Sequence, residues 1–313
     1  MTRRELVKAA IQHRETPRVP YCIDLCGDAW ERLKLKVQAP DAGVFLDNDV
    51  AGFGPPWWNW HNLAPDWAGA DAPTSKATVL GGGSYEGFRD AIKKAADTTD
   101  KYILVMIYGS HFEKAYFARG IENLLADMAG APGFARELHR KIIEKNLVML
   151  ENFLNLPEID GVLLGSDWGA QRGLLMSEAV WQDMIRPGEQ SEYNLVHSYG
   201  KHVWVHSCGK IDRLIPSLIE MGLDVLNPVQ PEAMDLAELK RRFGQRLTFW
   251  GGISTQQTLP FGTPADVRAE ARRVRDLMAR GGGYIFAPAQ GIQGDVPPEN
   301  ILALLEVARE SRA

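Results

Sequence analysis

Short, almost wholly apolar runs recur along this chain, and most of them end on a polar or titratable residue. The clearest are "YILVMIYG" (102–109), "GVLLGSD" (161–167), "HVWVHSC" (202–208), "DVLNPVQ" (224–230), "LTFWGGI" (247–253) and "GYIFAPA" (283–289). Runs of this length suit parallel strands covered on both faces. "VPYCIDL" (19–25) and a weaker "VFLDNDVAGF" (44–53) complete a set of eight. Amphipathic helical stretches lie between them. Residues 132–154 place Phe134, Leu138, Ile142, Leu147, Leu150 and Leu154 on one stripe. At 263–278, Thr263 suits a cap, Pro264 the first helical position and Asp266 the positive end of the helix dipole. Val267, Ala271, Val274 and Met278 then form the inward face. Eight strands alternating with helices predict an α/β fold, a (β/α)8 TIM barrel forming one domain over 1–313. Only 54–100 fits poorly. It carries "PPWWNWHNLAPDW" and "GGGSYEGF" and is expected to be a Trp/Gly/Pro-rich insertion, or lid, near the barrel mouth.

Composition removes several classes of function. Net charge is −5 with both signs interspersed, so no basic stripe points to nucleic acid and no polybasic helix to a membrane surface. The apolar runs are too short to span a bilayer. "MTRRELVKAAIQHRE" lacks the apolar stretch of a signal peptide, and Cys22, Cys26 and Cys208 are the only cysteines. An odd, small number of thiols fits a reducing cytoplasm.

In such a barrel the chemistry gathers where strands end at their carboxyl side. Those ends offer Asp24 and Cys26, Asp47 and Asp49, Ser110 and His111, Asp167, His206 and Cys208, Gln230, Ser254 and Gln290. His206 and Cys208 stand two apart, so an extended backbone turns both to one side. An imidazole and a thiolate so placed suit zinc. The plain alternative is a core thiol beside a hydrogen-bonded histidine. Cys22, Asp24 and Cys26 share one parity. Asp167, closing a buried run, serves a metal, a substrate or the next turn. Trp57, Trp58 and Trp60 read as a substrate lid or as packing against the barrel. No dinucleotide, P-loop or nucleophile-elbow pattern occurs in a fitting context.

The segments "TRRELVKAAIQHRETPRVPY", "GSHFEKAYFARGIENLLADM", "GSDWGAQRGLLMSEAVWQDMIRP", "HSYGKHVWVHSCGKIDRLIPSLIEMGLDVLNPVQ", "FGQRLTFWGGISTQQTLPFGTPADV" and "GGGYIFAPAQGIQGDVPPENILAL" follow one another in the chain. Together they resemble the uroporphyrinogen decarboxylase superfamily over nearly the whole length. The resemblance implies a barrel with its site at the mouth and one of two chemistries. One branch decarboxylates uroporphyrinogen without a cofactor. The other moves methyl groups to or from a corrinoid and uses zinc. The decarboxylases carry an arginine-rich loop after the first strand. Here that place reads "CIDLCGDAWERLK", whose first arginine is Arg32. His-x-Cys-Gly at 206–209 is similar to the zinc pair of the methyltransferases.

The resemblance therefore implies a zinc-dependent methyltransferase acting on a thiol or a methyl ether or alcohol. No Asp-x-His-x-x-Gly sequence occurs, so cobalamin would come on a separate corrinoid protein. Asp24, Asp167, His206 and Cys208 would be catalytic, with His206, Cys208 and Asp167, and alternatively Cys26, on the metal. His111, Gln171, Arg172, Gln230, Gln290 and Trp58 would meet substrate. The family's third ligand, a cysteine after strand eight, is replaced by "APAQG" with Gln290 in or near its place. That departure keeps two rivals open: a cofactor-free decarboxylase or lyase on a smaller acid with Asp24 steering protons, and a non-catalytic binding barrel. An exposed Trp-rich edge would suit a homodimer.

Overall fold

A computed structural model describes residues 1–56 and 84–311. Trp57, Trp58 and Trp60, with the lid expected of them, lie outside the described residues. Among those residues the strands run, in chain order, β1 (Val50–Phe53), β2 (Tyr102–Ile107), β3 (Gly161–Gly165), β4 (Gly169–Ala170), β5 (Gly173–Leu174), β6 (His202–His206), β7 (Val225–Val229), β8 (Thr248–Ile253) and β9 (Tyr284–Pro288). All six of the clear apolar runs become strands. The chain forms two units, one made of Met1–Ala51, Asp100–Tyr102 and Asp224–Ala313, the other of Gly52–Thr99 and Ile103–Leu223.

In the first unit β7, β8 and β9 pair in parallel, with Val225 opposite Thr248 and Phe249 opposite Tyr284. All three are buried along their length, as strands covered on both faces must be. The run 19–26 lies parallel beside β9. Tyr21 pairs with Phe286 and Leu25 with Ile292, through Cys22 N–H to Phe286 O (3.1 Å) and Ile292 N–H to Asp24 O (2.9 Å). The first and last predicted strands are thus neighbours. Thr263 caps the helix Pro264–Met278 in a capping box with Asp266, and Val267, Ala271, Val274 and Met278 are buried. The predicted strand 44–53 is corrected. Ala42–Leu46 form a helical turn capped by Asp41, Asp47 adopts a left-handed conformation, and only Val50–Phe53 are extended. The Asp41 carboxylate accepting Val44 N–H (2.8 Å) supplies the start signal that outweighs the apolar run Val44–Leu46.

In the second unit β2, β3 and β6 pair in parallel, with Leu104 opposite Gly161 and Gly165 opposite His206. The helix Pro132–Leu154 buries Leu138, Ile142, Leu150 and Leu154 of its predicted stripe, while Phe134 and Leu147 are only half-buried. The segment 54–100 is not irregular throughout. Tyr85–Thr98 form a helix started by Ser84, whose hydroxyl accepts Gly87 N–H. It buries Phe88 and Ile92, and the Phe88 ring meets Phe153 edge-on at 5.7 Å. An apolar pair four apart, each contributing about 2 kcal/mol by burial, outweighs the glycine-rich lead-in. Among the described residues no helix is long and apolar enough to cross a membrane.

Candidate metal centre

The second unit carries a cluster at the ends of β3 and β6. At the end of β3, Gly165 lets the backbone that follows β2 approach closely because it has no side chain. A Cβ there would lie 2.9 Å from Gly109 N and from Tyr108 Cα. Ser166 N–H extends the pairing to His206 O (2.9 Å), which sets Asp167 beside the residues that follow β6. The Asp167 Oδ1 accepts the Cys208 N–H at 2.7 Å and lies 3.8 Å from His206 Nε2. Cys208 Sγ is 3.4 Å from the same His206 nitrogen. One ligand atom from each of the three residues lies within 4.8 Å of the other two. His206 is buried, while the Asp167 side chain keeps 31% of its exposure. A thiol, an imidazole and a carboxylate at this spacing, two of them open to one side, fit the ligand chemistry of a catalytic zinc ion.

Gly209 closes the cluster. Its φ of +82° is the left-handed region, and a Cβ would meet Gly169 C at 2.6 Å and Ala170 O at 2.8 Å. Gly209→Ala is expected to cost about 2 kcal/mol, because the backbone beside Cys208 would have to move. Chemical denaturation checks this, and an unchanged midpoint would refute the claim.

Two groups that sequence reasoning missed stand on the helix Phe112–Arg119. Tyr116 O–H donates to Glu113 Oε1 at 2.9 Å. Burial, with the charge of Asp167, pushes the Glu113 carboxyl up to about 7. Burial and then Glu113 push the Tyr116 phenol upward, and Cys208 adds to the shift. Both lie within electrostatic reach of the three-residue cluster. Their helical spacing of three was the available signal. Tyr108 sets its ring edge-on to His206 at 5.2 Å. Gln171 and Arg172 are exposed at the tip of the β4–β5 hairpin. Arg172, Lys210 and Arg213, with Glu178 and Asp212, line a cleft of about 530 Å³ in the same unit. His111 does not open onto a cleft. It is fully buried, with Nδ1 3.0 Å from Glu189 Oε1.

The remaining candidates belong to the first unit. Tyr21 and Ile23 face inward, whereas Asp24 is exposed, as the alternation requires. Asp24 and Cys26 flank Gly291, whose missing Cβ would sit 3.2 Å from Asp24 Oδ2 and 3.5 Å from Cys26 Sγ. Burial, then Asp24 and Asp28, push the Cys26 thiol upward, which disfavours a free thiolate there. Gln290 is exposed just past β9, and Gln230 is buried just past β7. Ser254 donates to Glu232. Asp47 and Asp49 are held by arginines, Asp47 by Arg3 (2.7 Å) and Asp49 by Arg18 (2.6 Å). Arg32 is exposed within the helix Gly27–Leu33.

Parallel strands whose ends carry a metal-type donor set define an α/β protein with its site on strand ends. The family described as Uroporphyrinogen decarboxylase (URO-D) matches residues 71–311, and the chain belongs to that family. Similar proteins carry both of its activities. A methylcobamide:CoM methyltransferase, MtaA, of Methanosarcina barkeri is 33% identical over 106 residues, 34% of this chain and 30% of that protein. A uroporphyrinogen decarboxylase of Neisseria meningitidis is 27% identical over 180 residues, 56% of this chain and 49% of that one. The chain thus spans less than half the length of these curated relatives. A solved methyltransferase from Methanosarcina mazei shares the fold, with a TM-score of 0.75 at 18% identity and 98% coverage of both chains.

Proposed function

We propose that this protein is a methyltransferase that moves a methyl group between a small molecule and a corrinoid carried on a separate protein. In this reading one (β/α)8 barrel holds zinc on His206, Cys208 and Asp167. The observation that carries the reading is the thiol, imidazole and carboxylate gathered within 4.8 Å at two neighbouring strand ends. Asp167 takes the place that Gln290, a poor zinc ligand, leaves unfilled. Zinc bound there would supply Lewis acidity, lowering the pKa of a thiol or polarising an ether or alcohol oxygen. Asp167 fixes the approach of Cys208 by accepting its N–H. Glu113, whose carboxyl is pushed up chiefly by burial, is the group near the cluster suited to hold a proton, and the Tyr116 O–H orients it. Arg172, Lys210 and Arg213 offer cations to an anionic end of the substrate.

The exposed, helix-bound Arg32 makes a poor clamp for a polycarboxylate. The purified protein, incubated anaerobically, is therefore expected to leave uroporphyrinogen unchanged. With methylcobalamin or a methylated corrinoid protein and a panel of thiols and alcohols, it is expected to consume the cobalt–methyl absorbance. Robust uroporphyrinogen turnover would overturn the reading and move the chemistry to Asp24. Inactivity toward both with zinc bound would leave a binding barrel.

A further inference from the structure

A second cluster of ligating groups lies in the second unit, inside its helical layer. His111, Glu189 and Glu192 each offer an atom within 4.8 Å of the other two. All three are at most 1% exposed. His111 begins the helix Phe112–Arg119, and both glutamates sit one turn apart on the helix Arg186–Ser198.

Their polar atoms are incompletely used. His111 Nε2 and Glu192 Oε2 make no hydrogen bond. The buried His139, edge-on to His111 at 4.9 Å, has neither ring nitrogen bonded. Buried polar atoms left without partners are costly and uncommon. Asn146 donates to Glu192 Oε1 (2.8 Å) and to Ser110 O (2.6 Å), the outer-shell bracing that ligating carboxylates receive. Gly188 makes the room, since a Cβ there would lie 2.8 Å from His111 Cε1 and 2.5 Å from Ile143 Cγ1. The glutamates' helix continues directly from a π-helical segment, Trp181–Ile185, a rare form that tends to mark functional sites.

We propose that His111, Glu189 and Glu192 bind a divalent transition-metal ion, separate from the His206–Cys208–Asp167 centre. One imidazole and two carboxylates suit zinc, manganese or iron(II). The ion cancels both carboxylate charges. Deep burial makes this a structural ion that pins the helix Arg186–Ser198 to the start of Phe112–Arg119.

The test counts metal. Tag-free full-length protein is loaded anaerobically with zinc, manganese or iron(II) in separate trials, gel-filtered and analysed, with circular dichroism to confirm folding. Wild type is expected to retain about two ions per chain, and Cys208→Ser and Glu192→Gln about one each. The double variant is expected to hold none. A Cys208→Ser protein that keeps no ion with any of the three metals, while Glu192→Gln keeps its one, would overturn the proposal and leave the cluster as a proton-sharing polar network. If instead the strand-end site fails to bind zinc, wild type and Cys208→Ser both carry about one ion and Glu192→Gln none, so the two sites are judged separately. Should Glu192→Gln misfold, His111→Gln takes its place with the same expected counts.

Discussion

Cys208→Ser is expected to strip zinc from the strand-end site and to lower methyl transfer roughly a thousandfold, while the thermal midpoint barely moves. The loss follows from the donor set. Removing the thiolate leaves an imidazole and a carboxylate, too few to hold a catalytic ion that ordinarily has three protein ligands. Losing Lewis-acid stabilisation worth about 4 kcal/mol corresponds to that rate factor. Stability is spared because serine matches cysteine in shape and Cys208 is only half-buried. Its N–H keeps the Asp167 bond whatever the side chain. Cys22→Ser serves as control: Cys22 sits on the segment beside β9, its carbonyl accepting Trp250 Nε1–H at 3.0 Å, and its substitution is expected to leave zinc content unchanged. A Cys208→Ser protein with full zinc and full rate would reduce the His-x-Cys pair to an ordinary strand end.

The largest stability effect is expected at Asp49. Its carboxylate is fully buried and receives both terminal nitrogens of Arg18 and, at 2.8 Å, the N–H of Tyr21. Its backbone joins the same strands, through Asp49 N–H to Tyr21 O and Tyr102 N–H to Asp49 O, both 3.0 Å. Asp49→Ala removes the acceptor for three donors and strands the Arg18 charge. The expected cost is about 3 kcal/mol, at the lower end for a broken buried pair because Arg18 keeps 27% of its exposure. That corresponds to a midpoint lower by on the order of 10 °C. A combined Arg18→Met/Asp49→Leu chain is expected to recover part of the loss, since two apolar side chains leave no charge unpaired. A midpoint shift below about 2 °C for Asp49→Ala would contradict this account.

Asp49 also shows where sequence reading ran short. Asp47 and Asp49 followed an apolar run and so looked like site residues, yet both answer arginines far away in the chain, Arg3 and Arg18. Nothing in a linear pattern announces an ion pair closed across such a separation. What the sequence does carry is periodicity. The strands from 102 onward, the capped helix at Pro264 and the shared parity of His206 and Cys208 each rest on spacing within a few residues. The company of Asp167 followed from a topological rule, that successive strands of such folds lie side by side. The buried group of His111, Glu189 and Glu192 had no such signal, because it joins two helices and its glutamates read as ordinary surface charge. The helix Tyr85–Thr98 was hidden for another reason: the glycines before Ser84 dominate the local composition, while only Phe88 and Ile92 carry the apolar face.

The pairing of Tyr21 with Phe286 and of Leu25 with Ile292 has a consequence for biosynthesis. The first unit is assembled from both ends of the chain, whereas most of the second comes from one continuous stretch, Ile103–Leu223. As the polypeptide leaves the ribosome, that middle stretch can condense by local contacts. The backbone of the opening segment meanwhile can bond only to Asn48 and Asp49, through Tyr21 and Ile23. Its side toward β9 has no partner until Ile292 has been translated, an interval of tens of seconds at ordinary elongation rates of about 5–20 residues per second. During that time an exposed edge of "VPYCIDL" is available to other nascent chains. The Arg18–Asp49 pair, both members of which are made early, closes on the other side of that segment, where Asp49 also accepts the Tyr21 N–H.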